Sequence, residues 1–219
     1  MVHFTGYSVH TLLQRRKPIP QGYTILALCD LGYTYSFIFT SRTNSFADLD
    51  PHLYSGQVKL RPNSQAVYQP ASALLSDQFA FTVYMDNYFT NIRLLQALYE
   101  KGIGVYGTSR STSAEYPKVF KWAKKPIFPF NTISGVVCQN VLVCLWRGNN
   151  IVRFISTVYE ITAVARNFPN KQHLRPRITN TDIRNIIHFF GDQYQVTILI
   201  PIATIDYYNN KMNSIDLAD

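Results

Sequence analysis

Apolar and polar positions change period several times along the chain, and each change predicts an element. Tyr23-Thr24-Ile25-Leu26-Ala27-Leu28-Cys29 is nearly all apolar or β-favouring, which predicts a strand buried on both faces. It runs into the turn signal Asp30-Leu31-Gly32, and Tyr33 to Thr40 reads as a second, aromatic-rich strand. Together they predict a hairpin. Ser41 to Asn63 has no regular period. Gln65 to Leu75 has helical character, with Pro70 arguing for a break or a late start. Phe79 to Met85 is again β-prone and stops at Asp86. From Asn91 to Lys101 the apolar residues Ile92, Leu94, Leu95 and Leu98 share one helical face, with Asn91 or Thr90 as cap. Ile103 to Tyr106 predicts a further strand. Two long β-type runs, Ile133 to Trp146 and Asn150 to Tyr159, are joined by Arg147-Gly148-Asn149 and predict a hairpin. Thr179-Asn180-Thr181 caps a helix from Asp182 to Phe190, Val196 to Ile200 reads as a strand, and Ile205 to Asp219 as a helix. The polar, basic start, Met1 to Gln21, predicts no helix. Strands and helices thus alternate in the first half, and acids stand where strands end. Open α/β sheets gather their sites beyond those carboxyl ends.

Composition narrows the class. The 219 residues suffice for one domain with a real core, and 47% apolar residues exclude a disordered chain. Lys and Arg total 21 against 13 Asp and Glu, a net charge of +8 that favours nucleic acid or an anionic membrane face as partner. Glutamate is confined to Glu100, Glu115 and Glu160, so the position of each aspartate is informative. Cys29, Cys138 and Cys144 include no C-x-x-C pair and read as reduced thiols of an intracellular protein. Met1 to Gly6 lacks the pattern of a secretory leader, and the longest apolar run, Ile133 to Trp146, is shorter than the ~20 residues of a spanning helix. The expectation is a soluble protein without a membrane partner. No phosphate loop, nucleophile elbow or dinucleotide fingerprint is present, so no organic cofactor is expected.

Asp30 and Asp86 each follow a strand, and Asp216 and Asp219 share one face of the terminal helical segment. Converging carboxylates repel unless a cation neutralises them, and all-oxygen sites suit Mg²⁺ or Mn²⁺. Two such ions ~3.5–4 Å apart can serve phosphoryl transfer. Alternatively, each aspartate only caps a turn or a helix.

Three stretches carry a family resemblance. Lys17-Pro18-Ile19-Pro20-Gln21-Gly22-Tyr23 running into Leu28-Cys29-Asp30-Leu31-Gly32 resembles the catalytic domain of piggyBac-type transposases. Tyr84-Met85-Asp86-Asn87-Tyr88-Phe89-Thr90 is similar to that family's second-aspartate motif, and Asp206 to Asp219 to its third. The resemblance implies an α/β fold with a ribonuclease H-like mixed sheet, flanking helices and a β-rich insertion. The core would span about residues 20–110 and 195–219, the insertion about 111–194, and the family's flanking DNA-binding and Cys-rich segments would be absent. Asp30, Asp86 and Asp216 would be the catalytic acids of a DDD transposase, holding two Mg²⁺ or Mn²⁺ ions, with Asp219 as an auxiliary ligand. The implied activity is metal-dependent cleavage and transfer of DNA strands in the nucleus, impaired in so short a chain. A domesticated or truncated DNA- or protein-binding remnant without catalysis is the rival. The chain departs from the family pattern at Tyr7, where an Arg is usual, and at Ser214, where a Gly is usual.

Basic residues interleaved with an aromatic, Lys118, Lys121, Trp122, Lys124 and Lys125, could track a DNA backbone. Arg175 and Arg177, with Lys171 and His173, form a second such patch. Either run also suits a solvated face. DNA is the expected partner, and a homodimer a further one.

Overall fold

A computed structural model of the chain describes residues 2–15, 18–40, 49–50, 56, 59–113, 115–121, 128, 132–147, 150–158, 171–173, 198–200, 208 and 211. In the basic first segment, two short strands, β1 (Val2–His3) and β2 (Leu12–Leu13), pair antiparallel with the start of β3 (Gln21–Asp30). The expected hairpin is present: β4 (Tyr33–Thr40) runs antiparallel to β3 from Thr24↔Thr40 to Asp30↔Tyr33. Leu31 and Gly32 close it with φ of 47° and 85°, the double positive φ that lets a two-residue loop follow the strand twist. Glycine adopts this conformation freely, whereas Leu31 bears strain. The register slips between Leu28↔Ser36 and Cys29↔Thr34, so Tyr35 is an extra residue and the ladder bulges just before Asp30.

The expectation that β3 is buried on both faces is corrected. Along β3 only Gly22 is buried. On β4, Tyr33, Tyr35, Phe37 and Phe39 are exposed, while Ile38 and Thr40 are buried. The helix lying against this hairpin is α1 (Pro62–Ser72), which begins earlier than expected and is not broken by Pro70. Pro62 occupies its first turn, where the missing N–H costs nothing, and Pro70 sits in its last turn.

A second unit is built from β5 (Thr82–Met85), α2 (Ile92–Glu100) and β6 (Gly104–Thr108), with β5 and β6 parallel. Asn91 caps α2, its Oδ1 accepting from the Leu94 N–H at 3.0 Å. Leu94, Leu95 and Leu98 are fully buried and pack with Val83, Met85 and Val105. The short helix α3 (Lys118–Lys121) follows.

The run Ile133 to Trp146 is two strands rather than one, β7 (Ile133–Cys138) and β8 (Val141–Arg147). Gln139 and Asn140, with φ of 51° and 62°, turn the chain between them. With β9 (Ile151–Ser156) they complete a five-stranded sheet in the order β5-β6-β9-β8-β7. Here the strand buried on both faces is β8. Val141, Val143 and Leu145 join the α2 core, while Leu142 and Cys144 pack with Tyr106 and Phe154 on the other face. These strands fall within the segment expected as an insertion, yet share a sheet with β5 and β6.

Finally, β10 (Lys171–His173) pairs antiparallel with β11 (Ile198–Ile200). The expected helix Asp182–Phe190 lies outside the described residues, as does most of Ile205–Asp219, of which Tyr208 and Lys211 are described and helical. Mixed α/β is therefore the observed class, with β3 and β5 in separate sheets rather than one. No helix among the described residues is long and apolar enough to cross a membrane.

Candidate functional site

Asp30 is the last residue of β3, directly after the bulge. Its side chain is 49% exposed, and the Lys211 Nζ lies 3.9 Å from Oδ1. Asp86 is exposed immediately after β5. Its Oδ1 accepts a hydrogen bond from the Asn87 backbone N–H. Its main-chain carbonyl receives the N–H groups of Phe89 and Thr90 at 3.1 and 3.2 Å, and the Thr90 hydroxyl at 2.7 Å. A tight loop thus hangs from the end of β5. Gly107, paired with Met85, makes room for it: a Cβ there would sit 2.4 Å from Thr90 Oγ1 and 2.9 Å from the Met85 carbonyl oxygen.

The segment that leads to Asp216 reaches the same place. The Tyr208 hydroxyl donates to the Met85 carbonyl at 3.4 Å and lies 3.4 Å from Thr108 Oγ1. Its ring stands 5.6 Å from that of Tyr106. Burial raises its pKa; the bond to Thr108 lowers it, and the negative charge of Asp86 raises it further. Lys211 follows three residues later, the spacing of one helical turn, so this segment touches both the residue before Asp86 and Asp30 itself. The edge of β5 also faces β3 across two cavities. One, of about 390 Å³, is lined by Asp30 and Lys211 with Tyr35, Phe81 and Tyr84. The other, of about 700 Å³, is lined by Asp86 with mostly apolar side chains, among them Phe37, Phe39, Pro70 and Phe89.

The remaining candidates divide. Asp216, Asp219, Lys124, Lys125, Arg175 and Arg177, with Trp122, lie outside the described residues. Lys118 is exposed on α3 and Lys121 is half-buried at its end. Lys171 and His173 are on β10. Cys29, Cys138 and Cys144 are free thiols, and burial pushes that of Cys144 up to about 12.

Three residues near the acids escape sequence reasoning. Tyr208 and Lys211 lie inside the third motif, and their i, i+3 spacing on a helical stretch is the signal that unites them. Arg110 stands two residues beyond β6, its Nε donating to Asn87 Oδ1 at 2.8 Å. Its signal is subtler: β6 is the parallel neighbour of the strand that ends at Asp86.

Among the described residues no group of three or more His, Cys, Asp and Glu side chains could hold a metal. Asp30 and Asp86 nevertheless suit a hard cation. Both are exposed carboxylates at strand ends, and an ammonium group already neighbours Asp30.

The described part of the site is thus a mixed α/β frame with one exposed acid at the end of β3 and another just after β5. The family model described as Transposase IS4 matches residues 1–218, and the chain belongs to that family. Human PiggyBac transposable element-derived protein 2 is 26% identical over 171 residues, which cover 75% of this chain and 27% of that protein. A cryo-electron-microscopy structure of a piggyBac transposase synaptic complex with hairpin DNA matches 97% of this chain with a TM-score of 0.62 and 17% identity. The match covers 36% of that protein's chain. The piggyBac resemblance read from the three motifs therefore holds, and the chain spans about a third or less of these relatives.

Proposed function

We propose that this chain is the strand-cutting core of a piggyBac-type transposase, acting on DNA in the nucleus with two Mg²⁺ or Mn²⁺ ions. In this reading β3 and β5, which lie in separate sheets and face each other across the two cavities, carry the acids of a ribonuclease H-like core. Asp30, Asp86 and Asp216 hold the metals, with Asp219 as auxiliary. The observation that carries it is the pair Tyr208 and Lys211, which contacts the ends of both acid-bearing strands from the segment that leads on to Asp216.

Divalent ions bound there would polarise the scissile phosphate and activate the attacking oxygen. The chain's own residues do the rest. The Asn87 N–H engages one Asp86 oxygen, leaving the other for a ligand. The Thr90 hydroxyl holds the main-chain carbonyl of Asp86, and the Tyr208 hydroxyl holds that of Met85, so the backbone is braced on both sides of the carboxylate. Arg110, tethered to Asn87 through Nε, keeps its two terminal nitrogens for a DNA phosphate. The net charge of +8 supplies attraction that does not depend on sequence. Homodimerisation follows if both ends of an element must be gripped at once.

Isothermal titration with Mn²⁺ tests this. The wild-type chain should bind, and Asp30→Ala and Asp86→Ala should each weaken binding at least tenfold without unfolding the protein. Weak Mn²⁺-dependent nicking of DNA should disappear in both variants. Equal Mn²⁺ binding by wild type and both variants would instead favour a domain that keeps the fold to bind DNA or protein without cutting it.

A further inference from the structure

The Lys211 ammonium lies 3.9 Å from Asp30 Oδ1, and both side chains line the same cavity of about 390 Å³. Lysine is 43% exposed here and aspartate 49%, so the pair is wet, weakly held and easily exchanged. Lys211 is also placed by something other than Asp30. Three residues earlier, Tyr208 is fastened to the Met85 carbonyl and packed on Tyr106, which anchors the backbone from which Lys211 extends. The backbone that carries Lys211 is therefore held beside the cavity by a contact independent of Asp30.

These two properties give Lys211 two successive partners. We propose that Lys211 is a phosphate-positioning residue that rests on Asp30 in the metal-free protein and turns to a DNA phosphate when a divalent cation takes Asp30. A divalent ion has twice the charge of an ammonium group and accepts the carboxylate as a direct ligand, so it wins the exchange. Once the ion is bound, ammonium and metal repel each other. A DNA phosphodiester brought to the site would then offer Lys211 a new anionic partner. No bond is made or broken in this exchange; one cation replaces another on Asp30. Tyr35 and Tyr84 line the same cavity and provide flat walls for a sugar or base beside that phosphate. The inference rests on the metal-binding reading of Asp30 given above.

The test uses the whole 219-residue chain, with Lys211→Met, Lys211→Arg and Asp30→Asn beside wild type. All four are first compared by circular dichroism and thermal melting, since exposed substitutions should leave the fold intact. Mn²⁺ affinity is then read by electron paramagnetic resonance without DNA. Lys211→Met should bind Mn²⁺ about two- to fivefold more tightly than wild type, because the competing ammonium is gone. Asp30→Asn should lose that binding.

Binding of a fluorescein-labelled DNA duplex is measured next across a salt series, once with Ca²⁺ and once with EDTA. In Ca²⁺, Lys211→Met should lower the log–log salt slope by about one phosphate contact, while Lys211→Arg retains it. In EDTA, wild type and Lys211→Met should have the same slope. If Asp30→Asn loses Mn²⁺ but Lys211→Met binds it no better than wild type, the proposal fails and the metal site stands. A salt slope unaffected by Lys211→Met in Ca²⁺ would overturn the phosphate role. If Asp30→Asn binds Mn²⁺ as wild type does, both readings fall together.

Discussion

Tyr208 joins the candidate site to the core of the domain. Its hydroxyl bonds to the Met85 carbonyl and its ring packs on Tyr106, so it serves both parts. Replacing it by Phe removes the hydroxyl and keeps the ring. That should lower stability by about 1 kcal/mol, as the loss of one ordinary hydrogen bond does, read by urea denaturation at neutral pH. The pH dependence has a definite sign. Tyr208 holds its proton more tightly folded than unfolded. Its contribution is therefore complete below the ordinary tyrosine range and is lost as pH rises through its raised folded value. Tyr208→Phe should flatten part of the alkaline decline. Gly107 is the other residue on which local geometry turns. Its Cβ-less backbone leaves room for the Thr90 hydroxyl, which a methyl group would meet at 2.4 Å. Gly107→Ala should therefore push the Asp86 loop away from β6 and weaken Mn²⁺ binding more than it lowers the melting temperature.

The helix α2 shows how firmly the β5–α2–β6 unit is held. Its apolar face is legible from spacing alone, and the same leucines are fully buried under the five-stranded sheet. Leu95→Ala should cost about 2–5 kcal/mol because it opens a cavity in a site with little room to collapse. Asn91→Ala removes a side-chain cap and should cost about 1 kcal/mol. Denaturant titration of both variants would check the ranking, and equal losses would show that the leucine site relaxes. The first hairpin behaves differently. Its aromatic strand was legible, but which side chains it would bury was not. The bulge at Tyr35 shifts the pairing by one residue, and no local pattern announces it. Likewise, the apolar run from Ile133 to Trp146 conceals the Gln139-Asn140 turn, because two polar residues in an apolar stretch can also belong to one continuous strand.

Over the whole molecule, charge and buried thiols set two further behaviours. With +8 at neutral pH, DNA binding should weaken steeply with salt and discriminate little between sequences. Lys121→Ala, Lys124→Ala and Lys125→Ala together should reduce the salt slope if that run follows the backbone; an unchanged slope would assign it to the solvated face. Cys144 is buried and its thiol is pushed from 9.0 up to about 12. Because the folded state keeps this proton where the unfolded state has lost it, stability should fall between about pH 9 and 12. Cys144→Ala should shallow that fall, measured by denaturation midpoints at stepped pH. Alkylation at pH 8 should reach the partly exposed Cys29 and Cys138 well before Cys144.

Local order was written in the residues themselves. Alternation, cap and turn chemistry placed the first hairpin, α2 and the strands β5 and β6, and put Asp30 and Asp86 at strand ends, because each of these depends on neighbours a few positions away. The family, too, was legible, since its three motifs are short and stand in order. What only the tertiary structure decided are contacts between distant segments. They are the sheet that β7, β8 and β9 share with β5 and β6, the half-open face of β4, and the approach of Tyr208 to Met85 and of Lys211 to Asp30. Each depends on which surfaces meet after distant parts of the chain have closed on one another, and side-chain period says nothing of that.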